Sequence, residues 1–115
     1  MPPETVKKFK FLFVAWESLS GDLAWQLIKE GHEAKMYIKS DVDKDVFDGF
    51  VPKVEKWEPH VEWADVVIFD DVGFGEEAEK LRKIGKRVVG GSVYTDKLEE
   101  NREFAQEEMK RVGML

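Results

Sequence analysis

Phe9-Lys10-Phe11-Leu12-Phe13-Val14-Ala15-Trp16-Glu17-Ser18-Leu19-Ser20-Gly21-Asp22-Leu23-Ala24-Trp25-Gln26-Leu27-Ile28-Lys29-Glu30-Gly31 decides the fold. Its first seven residues are a nearly unbroken apolar run of strand length, rich in aromatic side chains, which is the pattern of a strand covered on both faces. After a polar bend, Leu23, Ala24, Leu27 and Ile28 recur at helical spacing. Ser20 stands where an N-cap belongs and Gly31 where a left-handed stop belongs. A strand that bends into a helix folding back over it is the opening of an open α/β sheet. In such sheets the loop after the first strand lies at the carboxyl edge, where ligands bind and helix N-termini offer N–H groups. Chemistry is therefore expected near Glu17 to Asp22.

Downstream, Glu33 to Lys39 alternates, with Ala34, Met36 and Ile38 on one side, as in a strand with one wetter face. Ser40 to Asp45 is a charged turn or short helix leading to Gly49. Its carboxylates lack the glycine and glutamate spacing of a calcium-binding loop. Phe50 to Val54 is expected as a short edge strand, where Pro52 is tolerated. His60, beside Glu58 and Glu62, reads as a surface histidine in a connector, because Pro59 breaks any register that would converge the three. His32 reads as a helix-end histidine.

Ala64 to Phe69 is the second clear buried strand. It delivers Asp70-Asp71-Val72-Gly73-Phe74-Gly75 to the edge that carries the first loop. The paired acids have two readings: they hold Mg²⁺ or act as a base, or one caps the next helix while the other faces water. Glu76 to Ile84 is an amphipathic helix with Ala78, Leu81 and Ile84 inward, closed by Gly85. Lys86 to Ser92 is a short strand ending in Gly90-Gly91, which permits close backbone approach to a ligand or to a neighbouring helix. A capping box beginning at Thr95 starts one helical tract whose apolar face is Phe104, Ala105, Met109 and Val112, ending at Gly113.

The order strand, helix, strand, strand, strand, helix, strand, helix implies right-handed crossovers. The expected fold is α/β, a three-layer Rossmann-like domain with a mainly parallel four- to five-stranded sheet over residues 9–115, preceded by a disordered or extended tail over 1–8. No G-x-G-x-x-G follows the first strand and no Walker A sequence occurs, which argues against a plain NAD site or a P-loop.

Composition bounds the function. The 115 residues make one module with a net charge of −6, which disfavours nucleic acid as a non-specific partner. The chain has no cysteine, which excludes disulfides and thiolate chemistry. The polar start and the lack of a membrane-length apolar run lead us to expect a soluble, cytoplasmic protein without a membrane partner. Charged residues are 37% of the chain, whereas Asn101 is its single asparagine and Gln26 and Gln106 its only glutamines. That balance resembles heat-adapted, thermostable proteins.

Over about residues 10 to 114 the chain resembles the N-terminal domain of glycinamide ribonucleotide synthetase, or phosphoribosylamine-glycine ligase, an ATP-grasp enzyme of purine biosynthesis. The resemblance rests on Phe11-Leu12-Phe13-Val14 with Leu23-Ala24-Trp25-Gln26-Leu27, similar to the family's opening strand and Leu-Ala-Trp-Lys-Leu helix. It rests also on Gly90-Gly91-Ser92, Leu98-Glu99, Phe104-Ala105 and Met109-Lys110-Arg111-Val112-Gly113-Met114. Where the family carries Gly-x-Gly-Gly-Arg-Glu-His after the first strand, this chain has Ala15-Trp16-Glu17-Ser18-Leu19-Ser20-Gly21, and Asp70 to Gly75 replaces Gly-Pro-Glu-x-Pro-Leu.

The resemblance implies a preATP-grasp domain, not catalytic by itself, on the substrate side of the ligase. Its ATP and Mg²⁺ would belong to an ATP-grasp domain supplied in cis or trans. Glu17, Ser18, Ser20 and Gly21 would then meet a small-molecule substrate, a sugar phosphate or an amine. Asp71 and Gly73 would line the opposite wall, and Gly90, Gly91 and Ser92 would sit beneath the seam with the second domain. The rival reading is a standalone Rossmann-like binding or interaction module, favoured if Trp16 and Phe74 are exposed side by side.

Overall fold

The computed structural model describes residues 7–16, 20–40, 43–70 and 73–113. Glu17, Ser18 and Asp71 of the expected site, and the first six residues of the expected tail, lie outside the described residues.

The apolar opening run forms β1 (Lys10–Ala15), and Leu12 through Ala15 are fully buried. Successive side chains point to opposite faces. Phe13 and Ala15 therefore join one core with Ala24, Ala34, Met36 and Val51, whereas Leu12 and Val14 join the other with Val67, Phe69, Ala78 and Leu81. β1 is thus the shared spine of two cores.

α1 (Gly21–Lys29) leads to β2 (Glu33–Ile38), in which Ala34, Met36 and Ile38 are buried as the alternation predicts. β3 (Val66–Phe69), α2 (Gly75–Lys83) and β4 (Arg87–Val89) follow. All strand pairs are parallel, in the order β2-β1-β3-β4. α1 packs in the core of Phe13 and α2 in the core of Leu12, so the helices cover opposite faces of the sheet. The molecule is therefore α/β, with a four-stranded all-parallel sheet in a three-layer Rossmann-like arrangement. α1 and α2 both end at left-handed glycines, Gly31 (φ 97°) and Gly85 (φ 88°), where a side chain would be strained.

The expected edge strand shrinks to a single parallel bridge between Met36 and Lys53. Met36 N–H donates to Pro52 O at 2.9 Å and Val54 N–H to Met36 O at 3.0 Å. One step back along β2, the next donor in a parallel ladder would be the amide of residue 52. Proline has none, and the ladder stops there.

The C-terminal tract also differs from expectation. It is two helices, α3 (Val93–Glu100) and α4 (Arg102–Arg111). Asn101 breaks it: its backbone is extended, and its side chain accepts from Phe104 N–H at 3.0 Å to cap α4. The capping box lies three residues earlier than expected, with Ser92 as N-cap and Thr95 as its partner. Ile84, expected inward, is 74% exposed because it sits past the last turn of α2, at the helix C-cap.

Candidate functional site

The strand order reverses between β1 and β3, and in doubly wound sheets ligands bind outside the carboxyl ends of the strands at that point. Here the loops after β1 and β3 are tied together. Ser20 donates from its backbone N–H at 2.9 Å and from its hydroxyl at 2.5 Å to the same oxygen, Oδ2 of Asp70. Ser20 occupies the N-cap position of α1 without capping it through its side chain. A carboxylate fifty residues away has taken that hydroxyl. The negative charge of Asp70 therefore lies at the positive end of α1, a favourable placement for an anionic side chain.

Beside this clasp stands an aromatic wall. The Trp16 ring is 6.4 Å from that of Phe74. Phe74 is stacked on Phe69 at 5.4 Å and only 8% exposed, so the two rings are not exposed side by side. Trp16 is 45% exposed, and the Lys39 ammonium, just beyond β2, lies 4.1 Å from its ring centre. Such a pair is held by the ring quadrupole.

The remaining expected site residues lie along the same edge, each with a structural partner. Gly21 opens α1 with the Phe47 ring directly over it; a Cβ there would fall 2.1 Å from Phe47 Cε2. Gly73 N–H donates to Asp96 Oδ1 at 3.0 Å, and Gly75 N–H donates to Asp96 Oδ2 at 2.7 Å. The Arg82 guanidinium donates to Gly91 O at 2.8 Å and to Gly90 O at 2.9 Å. Ser92 accepts from Thr95 N–H as the cap of α3, and Glu79 accepts from Val93 N–H at 2.6 Å. Asp96 and Glu79 thus exchange carboxylates between α2 and α3, each at the other helix's N-terminus. The double glycine serves this seam, where Gly90 packs against Phe69, with a Cβ position 3.1 Å from Phe69 Cβ.

Sequence reading missed Lys39, Arg82 and Asp96. Lys39 carried a usable signal, since it directly follows a strand that ends at the carboxyl edge of the sheet. Arg82 and Asp96 act through the tertiary fold and left no local mark.

No group of three or more metal-ligating side chains occurs among the described residues, nor a helix long and apolar enough to cross a membrane. His60 is in a connector containing a 3-10 turn (Glu58–His60), and its Nδ1 lies 3.3 Å from Lys35 Nζ. His32 sits in the turn between α1 and β2, where its Nδ1 accepts from Phe9 N–H at 3.0 Å.

Element order and sheet topology together define an α/β domain of the Rossmann-like class whose strand order reverses at the β1–β3 junction. Compared with models of known families and with curated proteins, the chain matches none.

Removing the clasp tests its contribution. Asp70→Ala leaves the Ser20 amide and hydroxyl without their charged acceptor and is expected to lower stability by about 1.5 kcal/mol, and Ser20→Ala by about 1 kcal/mol. Urea unfolding midpoints at a constant m-value measure both. In a double-mutant cycle the two losses are expected to be less than additive, because both variants remove the bond from the Ser20 hydroxyl to Asp70.

Proposed function

We propose that the chain is the substrate-side N-terminal domain of a phosphoribosylamine-glycine ligase-like ATP-grasp enzyme, not catalytic by itself. The observation that carries the reading is the Ser20–Asp70 clasp, which holds the two switch-point loops at the edge where α/β domains take ligands. The order of motifs from Leu23-Ala24-Trp25 to Met109-Lys110-Arg111-Val112-Gly113 supports it.

Asp70 already places a carboxylate on the amide at the start of α1. A nucleotide phosphate would meet that charge, so ATP, together with its Mg²⁺, is assigned to an ATP-grasp domain. The same carboxylate favours an amine over a phosphate as the group facing Ser20.

Trp16 favours a second reading, a standalone binding or interaction module. Its half-exposed ring, with Lys39 against it, is a surface that a protein or a stacked base could cover.

Calorimetric titration with ribose phosphates, ATP and glycine, with and without Mg²⁺, separates the two. It is run on this chain alone and on the chain joined to an ATP-grasp domain. Formation of ADP and phosphate by the joined protein, dependent on an amine and on glycine, supports the ligase. A joined protein that binds none of these substrates excludes it.

A further inference from the structure

At the opposite end of β2 from Lys39 lies a cleft of about 520 Å³, within the range of about 300–1,000 Å³ usual for small-molecule sites. It exists because the ladder outside β2 stops at Pro52. Ala34 lines it, with β1 on its inner side and no strand on its outer side at that point. Its walls are apolar: Ile28 from the end of α1, Phe50 and Pro52 from the segment beyond Gly49, and Trp63 from the connector. The Phe50 ring is 54% exposed and is propped edge-on against Trp25 at 5.2 Å.

Two polar side chains, each tied to a neighbour, belong to this lining. Lys35 Nζ is held 4.2 Å from the centre of the Trp63 ring and 3.3 Å from His60 Nδ1. An ammonium carries three donors, and His60 takes one of them. His32 lines the cleft with its Nδ1 accepting the Phe9 amide, so the proton of the neutral ring is on Nε2, a donor. Glu33, the acidic residue of the lining, is exposed to water, which screens it, whereas Lys35 is half-buried.

We propose that this cleft binds a small planar aromatic carboxylate. The ring would lie between the Phe50, Pro52 and Trp63 surfaces, with the carboxylate on the Lys35 ammonium and the His32 Nε2–H. A phosphate dianion would leave most of its oxygens facing apolar walls, at a high desolvation cost.

Nuclear magnetic resonance titration of the full, ¹⁵N-labelled chain tests this, with 2-naphthoate as the probe and 2-naphthamide as its uncharged counterpart. The expected result is saturable shifts centred on Ala34, Lys35, Val51 and the Trp63 indole, with 2-naphthoate bound about tenfold more tightly than the amide. Lys35→Met is expected to abolish that preference while leaving amide binding within about twofold. Ile28→Trp, which fills the mouth, is expected to weaken both probes. Equal affinity for acid and amide in the wild-type chain overturns the proposal without recourse to any variant. So do shifts centred on Trp16 or Phe74, or the absence of any shift.

Discussion

A Gly75→Ala variant is expected to lose about 3 kcal/mol of stability, the upper end for overpacking, which corresponds to a fall in melting temperature of about 10–20 °C. Gly75 is the first residue of α2. A Cβ there would lie 2.3 Å from the carbonyl carbon of Ser92, 2.4 Å from its oxygen and 2.5 Å from Asp96 Oδ2. Ser92 is backbone and cannot swing aside. It is fixed by the α3 capping box, and Arg82 holds the two preceding carbonyls. Relief requires α3 to move away from α2, and that breaks both Asp96 bonds to the Gly73 and Gly75 amides. Gly85→Ala is the natural control. Its φ of 88° strains a side chain but its surroundings are empty, so a loss of about 1 kcal/mol is expected. Chemical denaturation of both variants decides the matter. Equal small losses would mean that the α2–α3 seam yields freely.

The second large effect concerns Gly21 and Phe47. Gly21→Ala is expected to cost about 2 kcal/mol, because the new methyl would meet the Phe47 ring at 2.1–2.8 Å. Phe47 has a φ of 64°, a left-handed conformation unfavourable for a bulky residue. Its carbonyl accepts from Phe50 and Val51 N–H, both at 3.0 Å, which holds the turn in place. Phe47→Gly would relieve the backbone and lose the ring's packing. The Gly21→Ala/Phe47→Gly double variant is expected to be more stable than the sum of the two single losses by at least about 1 kcal/mol. Simple additivity in urea unfolding would show that the ring and the first turn of α1 do not press on one another.

These contacts show which parts of the molecule were legible in the sequence. The apolar run of β1 and the alternation of Ala34, Met36 and Ile38 are local patterns, written by burial on two faces and on one. Gly31 and Gly85 mark helix ends for a conformational reason that needs no tertiary knowledge. The edge strand failed for a reason partly visible: Pro52 is in the sequence, but whether it removes a donor that matters depends on its register against Met36. Ser20 reads as a cap by residue type, and only the fold brings Asp70 close enough to take its hydroxyl. The break at Asn101 is similar, since an asparagine within an apolar periodicity can be tolerated or can start a new helix. The glycines of the expected site lie on the side of the sheet where the parallel strands end. Phe47 and Asp96 lie more than twenty residues from Gly21 and Gly73, and Arg82 lies across a strand from Gly90 and Gly91, so the close backbone packing of these glycines is set by the tertiary fold.

The C-terminal helices carry a further consequence. Neither α3 nor α4 contains a buried residue, and α4 packs chiefly on α3. Little apolar surface returns to water when α4 detaches, so its opening free energy is far below that of the sheet. Two tiers of hydrogen exchange are therefore expected. Amides of β1 and β3 are released only with global unfolding, and those of α4 exchange through a local opening that leaves the two cores intact.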